Sequence, residues 1–268
     1  MKEVFFPLIN LKLQLSPIAI SIGDIHIYWY AILIVSAFVI GIILCKKDDG
    51  KYGIKFEDIF DLMLFLIPIS IICARLYYVI FNLDVYINNP IQIFNIRTGG
   101  LAIYGGIIGA LITCIIFCKI RKIHILDMLD YLVPYLALGQ AIGRWGNFIN
   151  VEAYGTATQL PWRMGILENG IYKEVHPTFL YESLVTFAIF ILLMTIKNKR
   201  KYKGQITYIY LVLYSFARMF IEGLRIDSLM LYNLRISQIL SLFIFVIFCI
   251  IMLYKRIKIH KTAQSNAK

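Results

Sequence analysis

GQAIGRWGNFINVEAYG, residues 139–155, follows an apolar run (131–138) and combines glycines with charged and amide side chains. Arg144, Asn147 and Asn150 recur every three residues, so they share one face of a helix. An arginine at the centre of a bilayer costs about 2.5–3.5 kcal/mol on the least demanding scale. The pattern favours a membrane helix whose polar face binds an anionic ligand. The alternative is an arginine that reaches the interface or pairs with a structural carboxylate.

Composition places the chain in a membrane. Its 268 residues are 60% hydrophobic and 16% charged, whereas soluble domains are about half apolar and about a quarter charged. Runs of about 20 mostly apolar residues recur along the chain, and each is long enough to span a bilayer. We therefore expect an all-α, polytopic integral membrane protein. The net charge of +11 comes largely from lysines clustered between the apolar runs, which is typical of topology signals and argues against a nucleic-acid partner.

The apolar runs predict seven transmembrane helices, at about 27–45, 59–81, 100–118, 128–149, 178–196, 205–221 and 236–254. Clusters of lysine and arginine follow the odd-numbered spans, whereas the loop after span two contains only Arg97 as a cation. This asymmetry predicts an N-terminus outside and a C-terminus in the cytoplasm. The chain is interpreted as a single membrane domain (1–268), with an interfacial arm at 1–24 and an outer-side insert at 150–176 between spans four and five.

The five cysteines indicate neither metal nor disulfide chemistry. None forms a C-x-x-C pair or lies with histidine at a metal-ligand spacing. Cys114 and Cys118 can share a helix face, where a small apolar filling role is favoured. We expect no metal and no cofactor. The first residues also lack the basic region, apolar core and cleavage site of a removable signal peptide.

Span three begins with two glycine doublets, at 99–100 and 105–106, that bracket Tyr104. Glycine lets a backbone approach its neighbour closely, so the doublets fit a ligand and a packed helix equally well. Arg75 adds a second intramembrane cation in the outer half of span two.

Span six carries a polar stripe. Tyr214, Arg218 and Glu222 are spaced four residues apart, with Arg225 close to the same face. A self-contained ion pair between Arg218 and Glu222 is one explanation. A ligand-binding face is the other.

Arg75, Arg144 and Arg218 are predicted to converge on an anion, and phosphate is the natural candidate. Guanidinium stays charged in lipid and offers forked donors that suit phosphate oxygens. Asn147 and Asn150 can supply hydrogen bonds to glycerol hydroxyls. The residues alone thus predict a phospholipid headgroup as the ligand.

Residues 143–152, GRWGNFINVE, resemble the G-R-x-G-N-F-x-N-x-E signature of the prolipoprotein diacylglyceryl transferase family. The resemblance continues at 99–106 (G-G-x-x-x-H-G-G, with Tyr104 in place of His), at 176–182 (H-P-x-x-x-Y-E) and at 214–225 (Y-x-x-x-R-x-x-x-E-x-x-R). It covers five of the seven predicted spans and the insert.

Three further positions fit the family pattern in different ways. Tyr30 occupies a functional tyrosine position of the family, although an interface anchor is its ordinary interpretation. His176, taken alone, is more typical of a loop histidine than of a catalytic one. Asp130 also fits the pattern.

The resemblance implies a bacterial plasma-membrane enzyme that performs the first step of lipoprotein maturation. Such an enzyme transfers an sn-1,2-diacylglyceryl group from phosphatidylglycerol to the lipobox cysteine thiol of a prolipoprotein signal peptide. A thioether forms and glycerol phosphate leaves. The implied partners are phosphatidylglycerol, the prolipoprotein and membrane lipid, and a monomer is plausible.

The implied catalytic residues are Arg144, Arg218 and Tyr104, and the implied substrate-binding residues are Arg144, Asn147, Asn150, Glu152, Tyr30, Arg75, Tyr214, Glu222 and Arg225. The two catalytic arginines would stabilise the departing phosphate, with Glu222 holding Arg218. Tyr104 is a weak base unless nearby cations lower its pKa. It therefore either donates a hydrogen bond, or takes the thiol proton, or leaves that role to another group.

Two other classes share parts of this pattern. A small-anion transporter also needs intramembrane arginines, but it usually has two related halves, and no internal repeat is visible here. A seven-span receptor shares the topology without a reason to collect three arginines. Formation of a thioether-linked lipid on a cysteine peptide separates a transferase from both.

The lysine asymmetry generates a topology prediction. Single-cysteine tags at Lys51 and Lys201 should be labelled only from the cytoplasm, and a tag at Asn169 only from outside, by a membrane-impermeant thiol reagent. Labelling of the Lys201 tag from outside would contradict the predicted orientation.

Overall fold

The computed structural model describes residues 2–266 with the exception of 88, 97, 98, 169, 229 and 233. Arg97 and Asn169, which entered the topology prediction, lie outside the described residues. The described chain is mostly helical, with strands near the N-terminus and in the insert.

The described residues form eight α-helices and eight strands. The helices are α1 (Trp29–Lys46), α2 (Phe56–Ile80), α3 (Leu83–Tyr86), α4 (Ile103–Arg121), α5 (Ile125–Asn150), α6 (Thr178–Ile196), α7 (Gln205–Leu224) and α8 (Ile236–Asn266). Short 3-10 turns occur at Pro7–Ile9, Lys51–Gly53, Pro90–Phe94 and Lys197–Lys199. Six helices of the described chain are long and apolar enough to cross a membrane, namely α1, α2, α4, α5, α6 and α8. A polytopic membrane protein is therefore confirmed. The sixth predicted span forms α7, whose polar stripe makes it less apolar than the six, so the count of seven stays a prediction.

Eight strands were not expected from the sequence: β1 (Lys2–Phe6), β2 (Leu11–Leu15), β3 (Ile18–Ile22), β4 (Ile25–Tyr28), β5 (Met164–Glu168), β6 (Ile171–Val175), β7 (Met230–Leu231) and β8 (Leu234–Arg235). Four of them form an antiparallel sheet in the order β2-β1-β5-β6. The pairs β3–β4 and β7–β8 are separate hairpins.

The prediction of an entirely helical fold missed this sheet. Val4 of β1 pairs with Ile166 of β5, so the N-terminal arm and the insert share one structure. Both side chains are almost fully buried. Their burial supplies the stabilisation that an isolated hairpin lacks.

The chain divides into two compact units. The first contains residues 1–44 and 132–268, and the second contains Cys45–Tyr131. The prediction of a single domain stays a prediction.

Two apolar cores are formed by the described residues of the first unit. One joins α5, α6 and α7 through Val133, Ala137, Leu138, Ile189, Phe190, Leu193, Ile206 and Tyr210. The other joins the sheet to α5 and α6 through Val4, Phe148, Tyr154, Met164, Ile166, Val175 and Phe179. The last turn of α5 is therefore packed between membrane helices and the sheet.

The second unit is organised by close packing of α2 on α4. A Cβ on Gly105 would lie 2.4 Å from the carbonyl oxygen of Cys73, and one on Gly109 would lie 2.7 Å from the Cβ of Cys73. These glycines of α4 are thus required for helix contact, which supports the packing explanation of the second doublet.

Candidate functional site

A shared carboxylate lies at the centre of the charged groups in the first unit. Glu182, in the second turn of α6, accepts a hydrogen bond from Arg144 of α5 through Oε1. Its other oxygen, Oε2, accepts one from Nη1 of Arg218 on α7 at 2.6 Å. The Glu182 side chain is only 4% exposed. One buried carboxylate therefore holds arginines from two neighbouring helices.

Tyr214 completes the contacts of this carboxylate. It lies one turn before Arg218 on α7, and its hydroxyl donates to Oε1 of Glu182 at 3.3 Å. The spacing of four residues found in the sequence thus places the phenol and the guanidinium on one face, as predicted.

Arg218 also pairs with Glu222, whose Oε2 lies 2.6 Å from its Nη2. The self-contained ion pair considered from the sequence is present, but it is one part of a larger group. Arg225 approaches Glu222 at 4.0 Å and binds Asp227 through two hydrogen bonds of 3.0 and 2.8 Å. Burial alone would raise the pKa of Asp227, but the bonds from Arg225 outweigh it and lower that pKa.

We call Arg144, Arg218, Arg225, Glu182, Glu222 and Asp227 the arginine cluster. Its formal charges are +3 and −3, so the cluster is balanced without a ligand. Balance explains how three largely but not fully buried guanidinium groups can be held in an apolar setting, since unpaired charges are strongly disfavoured there.

The polar face at the end of α5 continues from the cluster towards Glu152. Nη1 of Arg144 donates to Oδ1 of Asn147 at 3.1 Å. The amides of Asn147 and Asn150 then donate to the same oxygen of Glu152, at 2.9 and 3.2 Å. The structure therefore brings the four predicted residues of the signature into one hydrogen-bonded row.

The turn that carries Glu152 has an unusual backbone. Val151 and Ala153 on either side of it have positive φ values of 47° and 55°. A β-branched residue in this region is an outlier that the surrounding structure must enforce. Enforcement comes from Thr178, whose hydroxyl donates to the carbonyl of Ala153 at 2.5 Å, and from the bond between the amide of Glu152 and the carbonyl of Asn147 at 3.0 Å.

Gly155 follows this turn in a confined position. A Cβ at Gly155 would lie 2.7 Å from the Cβ of His176 and 3.1 Å from the carbonyl oxygen of Leu224. Backbone bonds join Gly155 to His176 at 2.9 Å and Thr156 to Leu224 at 2.8 Å. The segment after Glu152 is thus fixed to the start of α6 and to the end of α7.

His176 contributes its backbone to that arrangement, while its side chain contacts Tyr181. The ring Nδ1 lies 3.2 Å from the Tyr181 hydroxyl, which also accepts a bond from Trp162 at 2.7 Å. Burial lowers the pKa of His176 below its ordinary value. The neutral imidazole is therefore favoured at neutral pH.

Tyr30 lies against the signature segment. A Cβ at Gly146 would lie 2.2 Å from the Tyr30 ring, so the ring sits directly on this glycine, between Arg144 and Asn147 in the sequence. The ring is 37% exposed. Its contact with the α5 backbone is a reason for glycine at this position.

Tyr104 and Arg75 belong to the second unit. Tyr104 lies half-buried in the first turn of α4, and Arg75 is buried in the second half of α2. Asp130, near the start of α5, is 1% exposed. An open depression of about 580 Å³ on the insert is lined by Ala157, Thr158, Gln159, Tyr172 and Glu174, so none of the predicted site residues lines it.

Glu182 is the site residue that the sequence interpretation missed. It was visible as the last residue of the H-P-x-x-x-Y-E element, but its partners are 38 and 36 residues away in the chain. Helical periodicity connects residues within a helix and carries no information on such pairs.

Comparison with known proteins agrees with the family resemblance of the sequence motifs. The family model for prolipoprotein diacylglyceryl transferase matches residues 17–254. A phosphatidylglycerol–prolipoprotein diacylglyceryl transferase of Finegoldia magna is 50% identical over 230 residues, which is 85% of this chain and 91% of that protein. Proteins of the same name from Clostridioides difficile (48% identical; 84% and 89% covered) and Bacillus cytotoxicus (43% identical; 95% and 96% covered) are also similar.

The shared carboxylate predicts a large effect of Glu182→Gln on stability. The change leaves two buried arginines without their common charge, and loss of one partner from a buried pair costs about 3–5 kcal/mol. Asp61→Asn is the matched control, because Asp61 pairs with Arg121 where both side chains are well exposed; such pairs contribute about 0.2–1 kcal/mol. Free energies of unfolding in detergent micelles measure both. Equal losses for the two variants would contradict the central role of Glu182.

Proposed function

The chain belongs to the prolipoprotein diacylglyceryl transferase family, and on that premise we propose that it transfers an sn-1,2-diacylglyceryl group from phosphatidylglycerol to the lipobox cysteine of a prolipoprotein. The thiol loses its proton to a base, its sulfur forms a bond to the glyceryl carbon, and the bond from that carbon to the phosphate oxygen breaks. Glycerol phosphate leaves with the bonding electrons. This is the first step of lipoprotein maturation.

The observation that carries the proposal is the pair of arginines held by Glu182. A guanidinium has five N–H donors. In the described part of the chain, the contacts of Arg144 and of Arg218 each occupy two nitrogens, and Nε–H of both arginines is unused. Two fixed cations with spare donors suit a phosphate whose negative charge grows as the bond to carbon breaks.

Glu182 and Glu222 prepare these arginines for that task. Each carboxylate fixes a guanidinium before substrate binds, so little reorganisation is needed during the reaction. The contacts with these carboxylates involve only the outer nitrogens of the two arginines. Donors in the forked arrangement that matches phosphate oxygens therefore remain available. Tyr214 donates a further hydrogen bond to Glu182 and so helps to hold this carboxylate in place.

We assign the remaining residues of the site to binding of the phosphatidylglycerol headgroup. Asn147 and Asn150 offer amide groups for glycerol hydroxyls, and Glu152 orients both amides. Tyr30 covers the same turn of α5, where its exposed ring can contact the lipid. Arg225, held by Asp227, supplies a third cation for the incoming anion.

The membrane arrangement that goes with this function has seven spans, with α7 as the sixth. Its Arg218 and Glu222 would be tolerated because they are paired within the bundle. The lysine distribution supports an outside N-terminus, which places the end of α5 and the insert at the outer face of the bacterial plasma membrane. The prolipoprotein cysteine would reach the site there, and a monomer suffices for the reaction.

The test of the function is product formation. Purified protein in vesicles containing phosphatidylglycerol should convert a lipobox peptide into a thioether-linked diacylglyceryl peptide and release glycerol phosphate. Vesicles of phosphatidylcholine alone, and a peptide with serine in place of cysteine, serve as controls. Absence of the thioether product from correctly folded preparations would refute the proposal.

Arg144→Lys should be nearly as damaging as Arg144→Ala. Lysine keeps the charge but loses the planar fork that grips two phosphate oxygens. Loss of one transition-state contact costs about 2.7–4 kcal/mol, or a hundredfold to a thousandfold in rate. Arg163→Lys is the control, because Arg163 pairs with Glu174 on the half-exposed insert. Turnover of Arg144→Lys close to that of the control would show that a point charge is enough.

Tyr104 replaces the family histidine, and its substitution separates two roles. If the phenol donates one hydrogen bond, Tyr104→Phe should cost about 0.5–1.5 kcal/mol, which is a loss of about tenfold or less. We expect this result. If Tyr104 takes the thiol proton, Phe should abolish transfer and Tyr104→His should restore it at neutral pH, since imidazole titrates near pH 6.5. Transfer rates measured against pH for the three proteins decide between them.

A further inference from the structure

Arg75 is surrounded by backbone carbonyl groups. Its guanidinium makes five hydrogen bonds of 2.7–3.0 Å, one from Nε and two from each outer nitrogen. The acceptors are the carbonyl oxygens of Gln92, Ile93, Asn95, Gly99 and Gly100. All of them belong to the segment before α4, which we call the approach loop (residues 89–96 and 99–102).

Every donor of this guanidinium is therefore occupied. Arg144 and Arg218 differ from Arg75, because each keeps unused N–H groups in the described part of the chain. A phosphate could bind Arg75 only if bonds to the approach loop were first broken. The interpretation of Arg75 as a substrate-binding residue is thus disfavoured by its own contacts.

The approach loop is built around the guanidinium. Arg75 is 6% exposed and lies between the rings of Tyr78 and Tyr86, at 6.0 and 5.2 Å from their centroids. Gly100 has a φ of +78°, and a Cβ there would lie 2.3 Å from Nη1 of Arg75. Glycine at this position is required both by its backbone conformation and by the proximity of the cation.

The apolar surface of the loop explains why its carbonyl groups need an internal donor. Ile91 and Phe94 are 80% and 85% exposed, as expected for side chains that enter lipid. Irregular backbone at membrane depth is tolerated only where the protein satisfies its polar groups. Arg75 satisfies five carbonyl groups at once.

The same contacts fix the beginning of α4. Gly99 and Gly100 lie just before the helix, and the amide of Ala102 donates to the carbonyl of Ala74 at 3.0 Å. Tyr104 is in the first turn that follows. The position of Tyr104 therefore depends on the position of the last residues of the approach loop.

We propose that Arg75 is a positioning residue that holds the approach loop and thereby the first turn of α4 with Tyr104, and that it does not bind the substrate phosphate. The catalytic part of this inference rests on the proposed function. The structural part, that Arg75 restrains the loop, does not.

The experiment compares Arg75→Lys with Gly100→Ala and the unchanged protein. Gly100→Ala disturbs the same contacts while keeping the guanidinium, so both variants should behave alike. Hydrogen exchange of the approach loop should increase by about tenfold in each, since hydrogen bonds from the charged guanidinium to the carbonyl groups are lost. In transfer assays, kcat should fall by about tenfold, while KM for phosphatidylglycerol stays within about twofold. Exchange in α5 to α7 serves as the control for folding.

Unchanged exchange in the approach loop would overturn the proposal, and so would a rise of KM beyond about fivefold in Arg75→Lys. If Arg75→Lys does not fold, the same two criteria apply to Gly100→Ala. A preparation of the unchanged protein without transferase activity would refute the proposed function, while the exchange measurement would still decide whether Arg75 holds the loop.

Discussion

The bond of one glutamate to two arginines is the interaction on which the first unit depends. Glu182 ties α6 to Arg144 of α5 and to Arg218 of α7 while all three side chains are largely buried. Buried ion pairs often contribute little net stability, but they penalise any arrangement that separates their members. The pairing therefore specifies how the three helices register against one another. The apolar core among the same helices supplies most of the favourable burial.

Balanced charge also shapes what the cluster can bind. Its three cations and three carboxylates cancel, so a phosphate bound there as proposed would meet oriented donors rather than a strong net positive field. Oriented donors in a low-dielectric site gain strength as negative charge develops on the leaving group. A cluster with a large net charge would bind any anion tightly. On the proposed function, balanced charge would thus favour the transition state over the ground state.

Much of this site could be predicted from local spacing, and the rest could not for definable reasons. Arg144, Asn147 and Asn150 share a face of α5, and Tyr214, Arg218 and Glu222 share one of α7, as the helical spacing predicts. Glu152 lies beyond the end of α5 and reaches that face through a left-handed turn that the spacing does not predict. Glu182 bonds to arginines of two other helices, and helical periodicity carries no information on contacts between helices. The sheet was missed because its paired strands β1 and β5 are more than 150 residues apart in the sequence. Arg75 was grouped with the other arginines because composition does not reveal that carbonyl groups would occupy all its donors.

The left-handed backbone at Val151 and Ala153 depends on the sheet, and this dependence determines which part of the protein would lose its structure first. Residues in sparsely populated conformations cost about 1–3 kcal/mol each and persist only where their surroundings enforce them. Here the bonds from Thr178 and to Asn147 are joined by the packing of Val151 against the second core, in which Val4, Ile166 and Val175 of the sheet are buried. Loosening the sheet would release the turn while the membrane helices stayed folded. The protein would then keep its place in the bilayer but lose the orientation of Glu152, so inactivation would precede unfolding.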